Sequence, residues 1–392
     1  MTRSVLISGA GIAGPSLAYW LGRSGDDVTV VERAPGPRTS GSAVDFRGDQ
    51  LALLTRMGVL DRIRAAQTGM GEQVIVDATG RRRSAYPAAI FSGEVEIDRA
   101  DLAHILYEHS APHARYVFGD RIAAMNRHDD GVDVTFASGT AQRYDLVVGA
   151  DGLHSVVRRL TFGDGYGHHL GYHAASFEVP NTFGIDHSGV IHNAPGRYVG
   201  VASARDNRRA IVTLMFAAPE LEYRRDDLDA QKALLVKHFA DVGWRTPELL
   251  AALRDVSDLY FTPLRQIRLD RWSAGRVALL GDAAWCAGPG GNGTGHAMLG
   301  AYTLAGELAL AGHETAFANY EAIMRPPVLK SQKFAAGAGE FLVPPTEGKI
   351  RRRNLTYRVL SSRPMTGLMN RLSTRTANTG ELTDYPLPAV TG

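Results

Sequence analysis

The stretch "SVLISGAGIAGPSLAYWLGRSGDDVTVVERAPG", Ser4 to Gly36, holds two apolar runs separated by a glycine turn and a helical pattern. Val5-Leu6-Ile7 and Val28-Thr29-Val30-Val31 read as short buried strands, being apolar, rich in β-branched residues and bounded by turn residues. Between them, the spacing predicts a helix over Ala13 to Arg23, ended by Gly25. Pro15 falls in its first turn, where a missing N–H does no harm. In such a βαβ unit each glycine of Gly9-Ala10-Gly11-Ile12-Ala13-Gly14 has its own task. One permits the tight turn, one lets a pyrophosphate approach the backbone, and one lets the helix pack on the strand. Ile12 and Ala13 lead into the helix N-terminus, which offers free N–H groups and the positive end of a dipole. Glu32 closes the second strand, where a carboxylate accepts from ribose hydroxyls and repels a 2′-phosphate; the adjacent Arg33 softens that repulsion. The stretch predicts dinucleotide binding and leaves FAD and NAD both open.

The remaining composition excludes more than it assigns. With 392 residues, 44% hydrophobic and 21% charged, the chain suits two domains, or one with an insertion. A net charge of +2 gives no electrostatic case for nucleic acid or a membrane surface as a partner. The single cysteine, Cys286, excludes an internal disulfide and a cysteine-based zinc cluster, and fits a cytoplasmic, reducing setting. "HAMLGAYTLAGELALAG" is apolar enough to notice, yet Glu307 sits inside it, so no membrane span is expected. The first strand begins so near Met1 that no signal peptide is expected either. Arg351-Arg352-Arg353 reads as a solvated helix face.

Beyond Pro37, "DQLALLTRMGVLDRIRAAQ" reads as helix broken at Gly58, "GEQVIVDATGRRRSAY" as a hairpin turning at Thr79-Gly80, and "DRADLAHILYEHS" as helix. Short strands with Asp130-Gly131 and Ser138-Gly139 turns follow. From about 170 to 270 the alternation of strand and helix stops and antiparallel strands take over, which predicts an inserted sheet. The fold class expected is therefore α/β. A Rossmann-like domain covers 1–169 and 271–346, with about 72–97 contributing to the substrate side. A β-sheet substrate domain covers 170–270, and a peripheral helical tail covers 347–392.

Two further glycine turns lie downstream. "YDLVVGADGLHSVVR", Tyr144 to Arg158, delivers Asp151 between glycines at the end of a strand. "ALLGDAAWCAGPGGNGTG" delivers Asp282, then a loop with Pro289, Gly290, Gly291, Asn292 and Gly293. Asp282 is placed to accept from a polyol chain, and the N–H groups of the loop and following helix suit a ring that becomes negatively charged, which favours a flavin.

The three turns in this order resemble the class A flavin-dependent monooxygenases, the group of para-hydroxybenzoate hydroxylase and the tetracycline-inactivating oxygenases. The resemblance spans about Val5 to Ala311. It implies FAD as cofactor, NAD(P)H as co-substrate, and O2 and a small molecule as substrates. One oxygen atom would enter an aromatic or polyketide-like molecule, above all by hydroxylation, through a flavin C4a-hydroperoxide. It also implies that Asp151 organises a turn near the FAD pyrophosphate and serves nicotinamide binding, and that Arg158 anchors that turn or meets a phosphate. Arg99, in "EIDRADL", and Arg47, in "VDFRGD", would contact FAD.

The chain departs from the pattern at two places. Trp285 stands where the family often has His, and the loop from Pro289 to Gly293 is one residue shorter than usual. No catalytic acid or base is identified; His173, His192, Tyr198 and Met215 on the inserted strands are candidates for substrate contact. His296 either faces the flavin or begins its helix facing outward. An oxidase or dehydrogenase without oxygen transfer, or a non-catalytic flavin-binding protein, is the alternative reading.

Overall fold

The computed structural model describes residues 2–38, 41, 43–86, 94–203, 207–224, 226–290, 292–360 and 382–388. A six-stranded sheet runs in the order Ser273–Ala274, Val277–Leu279, Leu146–Gly149, Ser4–Ser8, Asp27–Glu32 and Arg115–Phe118. All its pairings are parallel except the short edge pair of Ser273–Ala274 with Val277–Leu279. Val5, Leu6 and Ile7 are wholly buried, as a central strand covered on both faces demands. The helix Ala13–Arg23 follows as its spacing predicts. Leu146–Gly149 pairs with Ser4–Ser8 on one side and Val277–Leu279 on the other, so the three glycine turns leave neighbouring strands at one edge of the sheet. That edge, where strand order reverses, is where open α/β sheets bind ligands.

The inserted sheet has seven strands, ordered Tyr260–Ile267, Gly167–Pro180, Arg209–Ala217, Arg197–Ser203, Ser188–Ala194, Gln73–Val76 and Arg82–Ala85. The last two form the hairpin that turns at Gly80, and Gln73–Val76 joins the sheet by the only parallel pairing among these strands. One face carries Phe177, Leu214 and Phe216 against Leu235, Phe239, Leu249 and Leu253 of the helices Leu228–Phe239 and Thr246–Leu253. The opposite face presents Ala174, Thr213 and Met215 to a cleft below the six-stranded sheet's glycine turns.

His173 pairs with Phe216 and lies on the helix-covered face, stacked on Phe216 at 5.3 Å and Phe261 at 5.9 Å. It is fully buried and neither ring nitrogen has a partner. Burial, with His169, His238 and Arg265 nearby, lowers its pKa from 6.5 to about 4. Between those values the unfolded chain binds the proton and the folded chain does not, so stability falls as pH drops through the window. The loss is on the order of 3 kcal/mol when complete. His173→Phe keeps the stack and removes the titration. Urea midpoints measured from pH 7.5 to 4.5 are expected to decline less steeply in this variant, and parallel declines would refute the assignment.

The C-terminal region is less peripheral than its sequence suggests. A helix runs from His313 to Leu342 through Pro326 and Pro327. The helix Glu347–Leu360 packs on the hairpin strand Arg82–Ala85, and Arg353 is buried rather than solvated. Its guanidinium donates to Asn193 Oδ1 at 2.7 Å and to the Phe341 carbonyl at 3.0 Å. Residues 382–388 return to the helix Gly293–Leu310. There Tyr385 donates to Glu307 Oε1 at 2.8 Å, and Tyr302 donates to the Thr383 carbonyl at 2.8 Å. The residue that argued against a membrane span is thus a buried carboxylate with a phenol and Asn319 as donors.

Candidate cofactor and substrate cleft

The three glycines of the first turn have different surroundings. Gly9 has φ +108, and a Cβ there would lie 2.5 Å from the Ala150 carbonyl oxygen of the second turn. A Cβ on Gly14 would lie 1.9 Å from the Gly9 carbonyl oxygen, so Gly14 packs behind the cleft rather than lining it. A Cβ on Gly11 would meet nothing within 4 Å. Gly11 opens onto the cleft together with Gly9, Ile12 and Ala13. Glu32 is half-buried and stitched in place: Oε2 accepts from the Ala10 N–H and Oε1 from the Ala34 N–H, both at 2.9 Å. Each oxygen keeps acceptor capacity, and the side chain lines the cleft beside the exposed Arg33.

At the second turn, Asp151 Oδ2 accepts from the N–H groups of Val156 and Val157 at 2.8 and 3.2 Å, capping the helix Val156–Phe162. Ser155 Oγ accepts from the Arg158 N–H at 2.9 Å. The other carboxylate oxygen, Oδ1, is buried without a partner, and burial raises the group's pKa. Arg158 donates to the carbonyls of Ala283 at 2.9 Å and Leu153 at 2.8 Å. Of the two roles expected for it, anchoring is the one these bonds perform, and they tie the second turn to the third.

At the third turn, Gly281 with φ +64 leads into the short helix Asp282–Trp285. Asp282 lies at the start of the next helix, since a Cβ on Gly293 would be 3.5 Å from its Oδ1. Pro289, Asn292 and Gly293 line the cleft; Gly291 lies outside the described residues. Asn292 adopts φ +53 just before Gly293–Leu310. Trp285 points away into the core, its ring 4.5 Å from that of Trp272 and its Nε1 without a partner.

Around these turns lies a cleft of about 2610 Å³. Arg47 and Arg99 line it, and Arg99 carries a buried Nε with no partner. Arg38, which no motif marked, also lines it; burial and then Arg99 lower its pKa. Of the four candidates on the inserted sheet, Met215 reaches the cleft, whereas His173, His192 and Tyr198 do not line it. His192 bonds the Val76 carbonyl at 3.2 Å, and Tyr198 is half-buried against the cluster of Ile75, Ile191 and Tyr357. His296 faces inward: it is buried, lines the cleft and shares a 2.6 Å hydrogen bond with Ser331 Oγ. Burial lowers its pKa to about 4, which favours the neutral imidazole. Among the described residues, no group of His, Cys, Asp and Glu is disposed to hold a metal, and no helix is long and apolar enough to cross a membrane.

The donor set fits FAD. Gly11 leaves open the space a pyrophosphate needs at a helix N-terminus, and Arg99 Nε and Asp151 Oδ1 are polar atoms without protein partners. Residues 2–322 match the family described as "FAD binding domain". The chain belongs to this family. It is 44% identical over 331 residues to the uncharacterized protein Rv1260 of Mycobacterium tuberculosis (strain ATCC 25618 / H37Rv), covering 82% of this chain and 89% of that one. It is 35% identical to a flavin-dependent monooxygenase of Legionella longbeachae serogroup 1 (strain NSW150), with 86% and 90% covered. The crystal structure of the tetracycline destructase Tet(55) superposes with a TM-score of 0.83 at 33% identity, covering 98% of this chain and 99% of that one. The protein is thus an FAD-dependent enzyme of the flavin-dependent monooxygenase group, as the three turns implied.

Proposed function

We propose that the enzyme uses NAD(P)H and O2 to hydroxylate an aromatic or polyketide-like small molecule. The observation carrying this reading is the cleft itself. Its volume exceeds the roughly 300–1,000 Å³ that one small ligand occupies, and it is bounded by glycine turns on one side and by the inserted sheet on the other.

In this reading, residues 1–169 and 271–346 hold FAD and residues 170–270 form the substrate wall; the hairpin strands extend the same sheet at its far end without lining the cleft. Gly9, Gly11, Ile12 and Ala13 cradle the pyrophosphate, Gly14 lets the helix pack behind them, and Glu32 accepts from ribose hydroxyls beside Arg33. Arg99 Nε and Arg47 contact the cofactor from the facing wall, while Asp151 holds the turn beneath it. Asp282 accepts from the ribityl chain, and Pro289, Asn292 and Gly293 shape the loop at the ring. When bound, FAD supplies electron transfer from the nicotinamide to oxygen and oxygen transfer to the substrate. The protein binds, orients and excludes water. Ala174, Thr213, Met215 and Thr262 give the substrate wall uncharged side chains suited to a flat, largely apolar molecule, with Arg265 the charged residue on that wall. A second cavity of about 340 Å³, lined by His154, Arg159 and Arg265, supports a place for the anionic part of a nicotinamide dinucleotide.

The test is an absorption spectrum of purified protein, then NADH and NADPH oxidation with and without simple phenols and a tetracycline, the latter chosen from the destructase's name. NAD(P)H use that rises with substrate, together with ¹⁸O from ¹⁸O2 in the product, is the expected result. Turnover without label would favour an oxidase or dehydrogenase. No NAD(P)H oxidation by FAD-loaded protein would favour a non-catalytic role.

A further inference from the structure

The loop from Cys286 to Asn292 has little to hold it. Gly288, Gly290 and Asn292 all have positive φ. Among the described residues, its backbone bonds are those of the Cys286 carbonyl to Ile267 and the Asn292 carbonyl to His296, at its two ends. Side chains brace its two flanks: Gln266 of the strand Tyr260–Ile267, and two adjacent residues of the helix His313–Leu342.

On the upstream flank, Gln332 Nε2 donates to the carbonyls of Ile267 at 2.7 Å and Trp285 at 3.3 Å. Gln266 Nε2 donates to the Ala287 carbonyl at 2.8 Å and to the Gln332 carbonyl at 2.6 Å. On the downstream flank, Ser331 Oγ meets His296 Nε2 at 2.6 Å, in the first turns of the helix Gly293–Leu310. The loop is thus fixed to one rigid helix on both sides. The buried amide network anchors one end, and a single hydroxyl, half-exposed at the cleft wall, anchors the other.

We propose that Ser331 is a positioning residue for the flavin: by holding His296 it fixes the N-terminus of Gly293–Leu310 against the ring and so sets the cofactor's reduction potential. This rests on the reading of the third turn as the flavin site. Two electrons and one proton taken up by FAD leave one added negative charge. A helix N-terminus held in contact stabilises that charge, and one free to shift stabilises it less. Gln332 keeps the other flank in place, so loss of the hydroxyl is expected to loosen the helix start without unfolding the loop.

The experiment is the two-electron midpoint potential of FAD-loaded wild type, Ser331→Ala and Ser331→Thr, by equilibration with a reference dye. Removing one neutral hydrogen bond is expected to shift the ratio of reduced to oxidised flavin at a fixed potential about fivefold toward oxidised, or ~20 mV lower. Ser331→Thr retains the hydroxyl and is expected to restore the wild-type value. An unmoved potential in Ser331→Ala, or an equal shift in both variants, overturns the proposal while leaving the flavin reading intact. A wild type that takes up no FAD removes the functional reading and this proposal with it.

Discussion

Gly14→Ala is expected to leave no stably folded cofactor-binding protein, whereas Gly11→Leu is expected to fold normally and fail to hold FAD. The two glycines share one motif but meet different surroundings. The alanine methyl at position 14 would lie 1.9 Å from the Gly9 carbonyl oxygen, a backbone atom that no side-chain rotation can move aside. Relief requires separating the helix Ala13–Arg23 from the first turn, which itself is pressed against Ala150. Overpacking of side chains costs about 1–3 kcal/mol, and backbone against backbone costs more, out of a total stability of about 5–15 kcal/mol. At position 11 the Cβ meets nothing within 4 Å and φ is not positive, so leucine is compatible with the apoprotein. Its bulk instead fills the space assigned to the pyrophosphate. Losing two charge-assisted hydrogen bonds there, each worth about 1.5–3 kcal/mol, weakens FAD by at least about a hundredfold. Thermal unfolding of the apoproteins and FAD titration followed by flavin fluorescence separate the two effects. Gly11→Leu binding FAD as tightly as wild type would show that the pyrophosphate lies elsewhere.

Trp285→Ala is expected to destabilise the protein by about 3–5 kcal/mol, the usual cost of emptying a large buried aromatic site. Trp285 is 1% exposed and packs against Trp272 and Tyr320, with ring centroids 4.5 and 5.9 Å away. A Cβ on Gly300 would lie 3.0 Å from its ring, so the helix Gly293–Leu310 rests directly on it. Trp285→Phe is expected to cost far less, because the indole Nε1 it removes has no partner. Urea unfolding with intact two-state slopes reads both values. Equal destabilisation by Phe and Ala would mean that the indole N–H, not the ring, is what matters. The departure from the family's His is therefore a packing feature.

The first βαβ unit was legible because its signals are local. Apolar runs, Gly25 beyond the helix and Pro15 in its first turn all act within a few residues of one another. The inserted sheet was legible as a change of pattern. Alternation told that its strands have two faces without telling which face meets the cleft, so His173 and Met215 were equivalent until the pairing His173↔Phe216 and Ala174↔Met215 separated them. Arg353 was misjudged because a run of arginines looks solvated, and its burial depends on Asn193, far away in sequence. The helix that carries Ser331 and Gln332 is hard to read from sequence because it runs through Pro326 and Pro327, and proline inside a helix removes a hydrogen bond. Arg38 belongs to no motif at all, and only its place in the cleft lining marks it.

The strand order of the six-stranded sheet also governs how the molecule is made. Leu146–Gly149 must find Val277–Leu279 across the entire inserted sheet before the third turn can meet the second. Contacts of such sequence separation slow folding, because a long loop is closed before any reward is collected. A chain emerging from the ribosome has its first turn, helix and Glu32 in hand long before Asp282 exists. Most of the inserted sheet has had time to assemble by then, since its larger core cluster lies within residues 175–253. The cleft therefore gains its last side late, and the kinetic risk in producing this protein lies in that final strand pairing.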